Sequence, residues 1–71
     1  MVMPLTMART GDINSIKKVG GKDDTKRFLE SLGFVAGSPV TLISANQGNL
    51  IVSIKESRIA ISKEMANKIF V

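Results

Sequence analysis

The sequence predicts a mainly β fold, a small antiparallel barrel of about five strands with one short helix plugging an open end. Short segments rich in Val and Ile are separated by turn residues, and only one longer stretch has helical spacing. The chain has 71 residues, of which 44% are hydrophobic. A flat antiparallel sheet of this size cannot bury both faces, so we expect it to curl into a barrel.

Length and composition predict one domain over residues 1–71, since there is no room for a second core. The chain has no cysteine, which excludes disulfides and thiolate metal sites and fits a cytoplasmic protein. No apolar run approaches the length of a membrane helix, and the first residues lack the pattern of a secretory signal. We therefore expect a soluble cytoplasmic domain with no membrane insertion.

The first strands are predicted on either side of a turn at residues 9–12. Pro4–Met7 is expected to form a short strand or a tight turn. Ile13–Val19 is a strand candidate, but its apolar residues alternate only if a bulge intervenes between Ile13 and Ile16. Gly20 and Gly21 are expected to form a mobile connector into the helix. A phosphate-binding loop is the less favoured interpretation, because the G-x-x-x-x-G-K-S/T pattern does not surround them.

The helix is predicted over Asp24 to Leu32. Phe28 and Leu29 stand at positions i and i+1 and Leu32 at i+4, so the three share one apolar face. Asp23 and Asp24 are expected to cap the helix start and to complement its positive dipole end. Such a short helix is marginal alone and must be stabilised by the surface that it covers.

Two glycines are predicted to form structural turns after the helix. Gly33 is expected to end the helix in the left-handed conformation, with Phe34 folding back over Leu29. Gly37 is expected at the positive-φ position of a type II turn in Val35–Ser38.

The second half of the chain predicts a hairpin-rich sheet, followed by one turn of helix and a last strand. In Leu50–Lys55, alternate apolar residues place one face toward the core. Ser62 is a candidate N-cap for the helical turn. The expected elements are strand Val40–Ala45, loop Asn46–Asn49, strand Leu50–Lys55, connection Glu56–Ser57, strand Arg58–Ile61, helical turn Lys63–Asn67 and strand Ile69–Val71.

The residues needed for common catalytic and metal sites are missing. There is no histidine, and the six carboxylates are scattered through turns and helix ends. The serines and threonines have no base to activate them. We therefore predict that the chain is not an enzyme and that it has neither a catalytic residue nor a set of metal ligands.

The run Lys26–Ile43, KRFLESLGFVAGSPVTLI, resembles the signature of the ferrous-iron transport protein A family. It combines a short helix ending in Leu-Gly, two apolar residues, a glycine turn and a strand that begins with Val. The family usually has Pro where this chain has Ala36, and its later Gly-Asp-Pro loop is replaced by GNL at residues 48–50. The other matching pieces follow in the family's order and are Leu5, Gly11, Gly48–Val52, Arg58–Ala66 and Ile69–Val71.

The resemblance implies a small SH3-like barrel, similar also to the C-terminal domain of metal-dependent repressors of the diphtheria-toxin-repressor type. It implies a cytoplasmic accessory or regulatory protein of bacterial ferrous-iron uptake. The implied partner is the membrane-embedded ferrous-iron transport protein B, which carries a cytosolic GTPase domain. Transition-metal binding is often attributed to such domains, but the side chains here support at most weak binding of Fe(II) or another divalent metal, and no cofactor.

The predicted partner-binding surface is the outer side of the helix together with the loop that follows the next strand. Phe28 contributes to it if its side chain is only half buried. The alternative is that Lys26 and Glu30 are simply a solvated i,i+4 pair. The surface comprises Lys26, Arg27, Phe28, Glu30, Asn46, Gln47, Gly48 and Asn49.

Two other functions stay open from the sequence. A net charge of +4 keeps a nucleic-acid-binding barrel as one alternative. No basic run exceeds two residues and there are only three aromatic residues, so no nucleic acid is expected as a partner. The other alternative is a stand-alone regulatory domain, and the oligomeric state is left open.

Overall fold

The computed structural model describes residues 2–71 and shows a mainly β fold with two short helices. This confirms the predicted fold class. A 3-10 turn, Leu5–Met7, precedes the first strand, so of the two alternatives expected at Pro4–Met7 the tight turn is confirmed. The elements are β1 (Ile13–Ser15), β2 (Lys18–Val19), α1 (Asp23–Ser31), β3 (Pro39–Asn46), β4 (Asn49–Ile54), β5 (Ser57–Ser62), α2 (Lys63–Ala66) and β6 (Ile69–Phe70).

The strands form two antiparallel sheets. One has the order β1-β3-β4-β5, and the other pairs β2 with β6. The segment before the 3-10 turn extends the second sheet, because Pro4 forms a bridge with Phe70. Met3 and Val71 also exchange two backbone hydrogen bonds, of 2.9 and 2.8 Å. The two ends of the described chain therefore lie side by side.

The expected strand Ile13–Val19 is wrong as a single strand, because the chain passes from one sheet to the other within it. Residues up to Ser15 pair with β3, whereas Lys18 and Val19 pair with β6. Ile16 lies between them, and its amide donates to the carbonyl of Ser38 at 3.0 Å. This corner, rather than a bulge, accounts for the irregular spacing of the apolar residues. Ile13 is 76% exposed on the edge strand β1.

The core lies on the inner face of the larger sheet, where β4 alternates as predicted. Leu50, Val52 and Ile54 are buried, while Ile51 and Ser53 are half buried on the other face. A β-bulge does occur, but in β3, where the register against β4 shifts between Leu42 and Ser44. The extra residue bends the strand and so helps the sheet to curl. The buried core residues are Leu5, Ile16, Val19, Leu29, Phe34, Val40, Leu42, Leu50, Val52, Ile54, Ile61, Ala66, Ile69 and Val71.

The two predicted glycine turns are confirmed. Gly33 has φ +107°, its amide donates to the carbonyl of Glu30 at 3.0 Å, and the amide of Phe34 donates to that of Leu29 at 3.1 Å. These two bonds form a Schellman motif, which satisfies the last carbonyls of α1. Gly37 has φ +90°, and Ser38 donates to Val35 at 3.1 Å across the turn. Both positions need a residue without a Cβ.

Two local predictions need correction. The N-cap of α1 is Lys22, which makes no side-chain cap hydrogen bond, and Asp23 and Asp24 lie in the first helical turn. Their carboxylates therefore complement the positive dipole end of α1, but their side chains do not cap the helix. The β4–β5 turn consists of Lys55 and Glu56 rather than Glu56 and Ser57, because Ser57 already pairs with β4.

The predicted cap of the second helix is confirmed. The hydroxyl of Ser62 accepts a hydrogen bond of 3.1 Å from the amide of Met65. The helix that it caps, α2, has four residues and buries Ala66.

Candidate functional site

The orientation of α1 is fixed by its buried residue and by its C-terminal end. Leu29 is 0% exposed and belongs to the core, as does Phe34 just beyond the Schellman motif. The helix thus closes one side of the core through Leu29. Since successive helical residues are rotated by about 100°, the residues opposite Leu29 must lie outside. This outer face is the candidate binding surface.

The three charged residues predicted for this surface are exposed. Arg27 lies about 160° around the helix from Leu29 and so points most directly outward. Glu30 lies between Lys26 and Arg27, about 40° from the first and about 60° from the second. The outer side of α1 therefore presents Arg27 with Glu30 next to it, while Lys26, about 60° from Leu29, is exposed on the flank opposite Phe28.

Phe28 differs from the expectation that it shares the buried face of the helix. Its side chain is 48% exposed, whereas Leu32 is half buried and packs against the core. Phe28 lies about 100° from both Leu29 and Arg27, so it stands on the flank of the helix where core meets solvent. Its backbone carbonyl accepts a 2.6 Å hydrogen bond from the hydroxyl of Ser31. An aromatic ring is therefore accessible on this flank of α1.

The second part of the predicted surface, residues 46–49, is the β3–β4 turn. All four residues are exposed, and Gly48 has φ +81°. The carbonyl of Gly48 accepts a hydrogen bond of 2.9 Å from the amide of Lys63, the first residue of α2. The structure thus shows this turn attached to the start of α2.

A small cleft between α1 and α2 was not predicted from the sequence. It has a volume of about 260 Å³ and is lined by Thr25, Ser62, Glu64, Met65 and Lys68. Thr25 comes from α1 and the other four residues from α2 and its flanks, about 40 positions later in the chain. No local pattern in the sequence indicates that these two segments meet.

The residues of the candidate surface have no arrangement typical of a metal centre. Within residues 2–71, no group of three or more Asp or Glu side chains is close enough together to hold a metal ion. With histidine and cysteine absent from the sequence, the side chains present do not fit a resident transition metal. In the same part of the chain, no helix is long and apolar enough to cross a membrane.

The fold and the candidate surface define a class of protein, a small SH3-like domain with an accessible helix face. Two solved structures show the same fold. FeoA from Stenotrophomonas maltophilia, a prokaryotic SH3 domain protein solved with zinc, superimposes with a TM-score of 0.82 over 94% of this chain and 86% of that chain, at 23% identity. A manganese-dependent transcriptional repressor gives a TM-score of 0.89 at 19% identity, over 99% of this chain and 40% of the repressor.

The sequence comparisons show the family. The model of the FeoA domain family matches residues 3–71. A protein of Methanocaldococcus jannaschii, provisionally named Fe(2+) transport protein A, is 35% identical over 68 residues, which cover 96% of this chain and 83% of the relative. The crystal structure of an iron uptake regulatory protein, FeoA, has 26% identity and a TM-score of 0.90 over 100% of this chain and 96% of that chain. The chain belongs to the FeoA domain family.

Proposed function

We propose that the chain is a cytoplasmic accessory protein of ferrous-iron transport that acts by binding the cytosolic part of ferrous-iron transport protein B. Membership of the FeoA family over residues 3–71 is the observation that carries the iron-transport role. The names of the relatives, Fe(2+) transport protein A and iron uptake regulatory protein, support the same process. A role in binding rather than catalysis agrees with the lack of histidine and cysteine.

The outer face of α1 is the proposed contact surface. Phe28 is 48% exposed on the flank of the helix, and Arg27, about 100° further round, points outward. Phe and Arg are both enriched at protein interfaces. Phe provides a large apolar contact area, and Arg provides directed hydrogen bonds. Covering the Phe28 ring would remove exposed apolar surface from water, which favours association.

Titration of the labelled domain with the transporter's cytosolic part tests the proposal, with and without GTP and Fe(II). We expect Arg27→Glu and Phe28→Ala each to raise the dissociation constant by about tenfold or more, the range of an interface hot spot. The matched control is Arg58→Glu, a charge reversal at an exposed residue of β5. Circular dichroism of each variant would establish that the fold is intact.

The control separates the two explanations of a loss of binding. If Arg58→Glu weakens binding as much as Arg27→Glu, the effect follows net charge and not the helix face. If Arg27→Glu and Phe28→Ala both bind like the original chain, the outer face of α1 is not the contact surface.

A further inference from the structure

Four lysines surround the small β2–β6 sheet, and the proposed binding of α1 does not use them. Lys18 is the first residue of β2 and Lys17 directly precedes it, Lys68 lies just before β6, and Lys22 is the N-cap of α1. All four side chains are exposed. We call this group, together with the strands that carry it, the lysine ribbon.

Strand register places Lys18 on the same face of the ribbon as Phe70, and local contacts place Lys68 next to the connector. Lys18 pairs with Phe70, and its Nζ lies 5.1 Å from the centroid of the Phe70 ring. The amide of Gly20 donates to the carbonyl of Lys68 at 2.7 Å. Cross-strand partners share a face, so Lys18 lies on the same side as Phe70. Lys68 precedes β6, and its Cδ lies 3.4 Å from the Cβ position of Gly21 in the connector that follows β2. The ribbon is therefore cationic on its outer side.

The connector between β2 and the N-cap of α1 consists of Gly20 and Gly21, so no side chain projects from it between these lysines. A Cβ at Gly20 would lie 3.5 Å from Cε2 of Phe70, and one at Gly21 would lie 3.4 Å from Cδ of Lys68. The aliphatic part of Lys68 thus passes over bare backbone. No side chain of the connector separates Lys18 from Lys22, so a broad anionic surface can approach several ammonium groups at once.

The chemistry of the patch favours a diffuse anionic surface over a specific acidic motif. Its cations are all lysines, which act as flexible point charges, while the three arginines of the chain, which would form bidentate pairs, lie elsewhere. The Phe70 ring is half buried and has a lysine ammonium above it, so it offers no free stacking platform for a base. The carboxylates of Asp23 and Asp24 in the first turn of α1 limit the patch on one side. Glu64, which lines the same cleft as Lys68, limits it on the other.

We propose that the lysine ribbon docks the domain electrostatically on the anionic lipid headgroups of a membrane surface, without insertion. Lysines near an anionic bilayer each strengthen binding by about fivefold, the equivalent of about 1 kcal/mol. This docking is independent of the α1 surface and of any protein partner. A domain held at a bilayer searches for membrane proteins in two dimensions instead of three.

Co-sedimentation with lipid vesicles tests the proposal. We expect the domain to bind phosphatidylcholine vesicles containing about one-third phosphatidylserine and not to bind pure phosphatidylcholine, since only the first carries a surface potential. Binding should fall steeply as salt rises from about 0.05 M to about 0.5 M, because screening shortens the range of the attraction. The triple variant Lys18→Gln, Lys22→Gln, Lys68→Gln should lose about a hundredfold in affinity.

A second triple variant is the matched control. Arg9→Gln, Lys55→Gln, Arg58→Gln lowers the net charge of +4 by the same three units at exposed residues outside the ribbon. It should lose less than about tenfold, because those residues do not face the bilayer. An equal loss in the two variants, binding to pure phosphatidylcholine, or displacement from vesicles by equimolar duplex DNA would each overturn the proposal. The vesicle assay contains no transporter, so its result is independent of the α1 titration.

Discussion

Phe28 and Leu29 are neighbours in α1 with opposite environments. Leu29 is 0% exposed within the core, while Phe28 is 48% exposed at the edge of the outer face. A rotation of about 100° around the helix axis separates the two roles. The inner side of the helix stabilises the barrel, and the outer side is free to bind without loss of the fold. Substitutions on the two sides should therefore affect different measurements.

The largest effect is expected from Leu29→Ala. Removing a fully buried leucine side chain leaves a cavity and should lower the free energy of unfolding by about 2–5 kcal/mol. Phe28→Ala is the matched substitution on the other side and should lower it by less than about 1 kcal/mol, because half of that ring is already in water. Urea denaturation followed by circular dichroism measures both. Equal destabilisation by the two variants would contradict the division of the helix into two sides.

A smaller loss of stability is expected from Gly33→Ala. This variant tests whether the Schellman motif at the end of α1 fixes which residues of the helix face the core. An alanine Cβ at Gly33 would meet no atom closer than 3.6 Å, so space is not limiting, but φ is +107°. Backbone strain of this kind costs about 1–3 kcal/mol. Gly37→Ala is the control, because an added Cβ there would have no atom within 4 Å while φ is similarly positive, at +90°. Any loss of stability in that variant comes from the backbone conformation alone.

Thermal unfolding compares these two glycine variants. Losses of similar size would show that the backbone conformation, and not contact with neighbouring side chains, requires glycine at both turns. A Gly33→Ala variant as stable as the original chain would show that the Schellman motif does not fix the end of α1.

The smallest loss of thermal stability among these core and backbone variants is expected from Ser62→Ala, which removes the hydroxyl that accepts the cap hydrogen bond from the amide of Met65. Loss of an N-cap costs about 1 kcal/mol, and α2 lies across the cleft from α1 rather than on its outer face. Ser57→Ala, at the exposed start of β5, is the control and should leave thermal stability unchanged. Neither variant should alter binding through the α1 surface, and a loss of binding by Ser62→Ala alone would extend that surface to α2.

Features that depend on a few neighbouring residues were predictable from the sequence. The alternation of β4, the cap at Ser62 and the two glycine turns are local, because each follows from a strand period, a hydroxyl at a helix start or a positive φ. The inner residue Leu29 was predictable for the same reason. The family signature consists largely of these structural residues, so fold and family could be predicted together.

Features that depend on distant segments were not predictable. The strand Ile13–Val19 divides because Ser38 and Phe70, far along the chain, take up the backbone bonds of Ile16 and Lys17. The exposure of Phe28 depends on what covers each flank of α1, which helical spacing alone does not specify. The lysine ribbon likewise exists only because β2 pairs with β6, which brings Lys68 next to Gly20 and Gly21.

The pairing of Met3 with Val71 has a consequence for the timing of folding. Their two backbone hydrogen bonds join segments that are separated by almost the whole described chain. Closing so long a loop costs more entropy than forming the β3–β4–β5 hairpins, so we expect it to occur late. During synthesis the smaller sheet stays incomplete until Val71 has left the ribosome. Until then, Lys18 belongs to a strand that still lacks its neighbour.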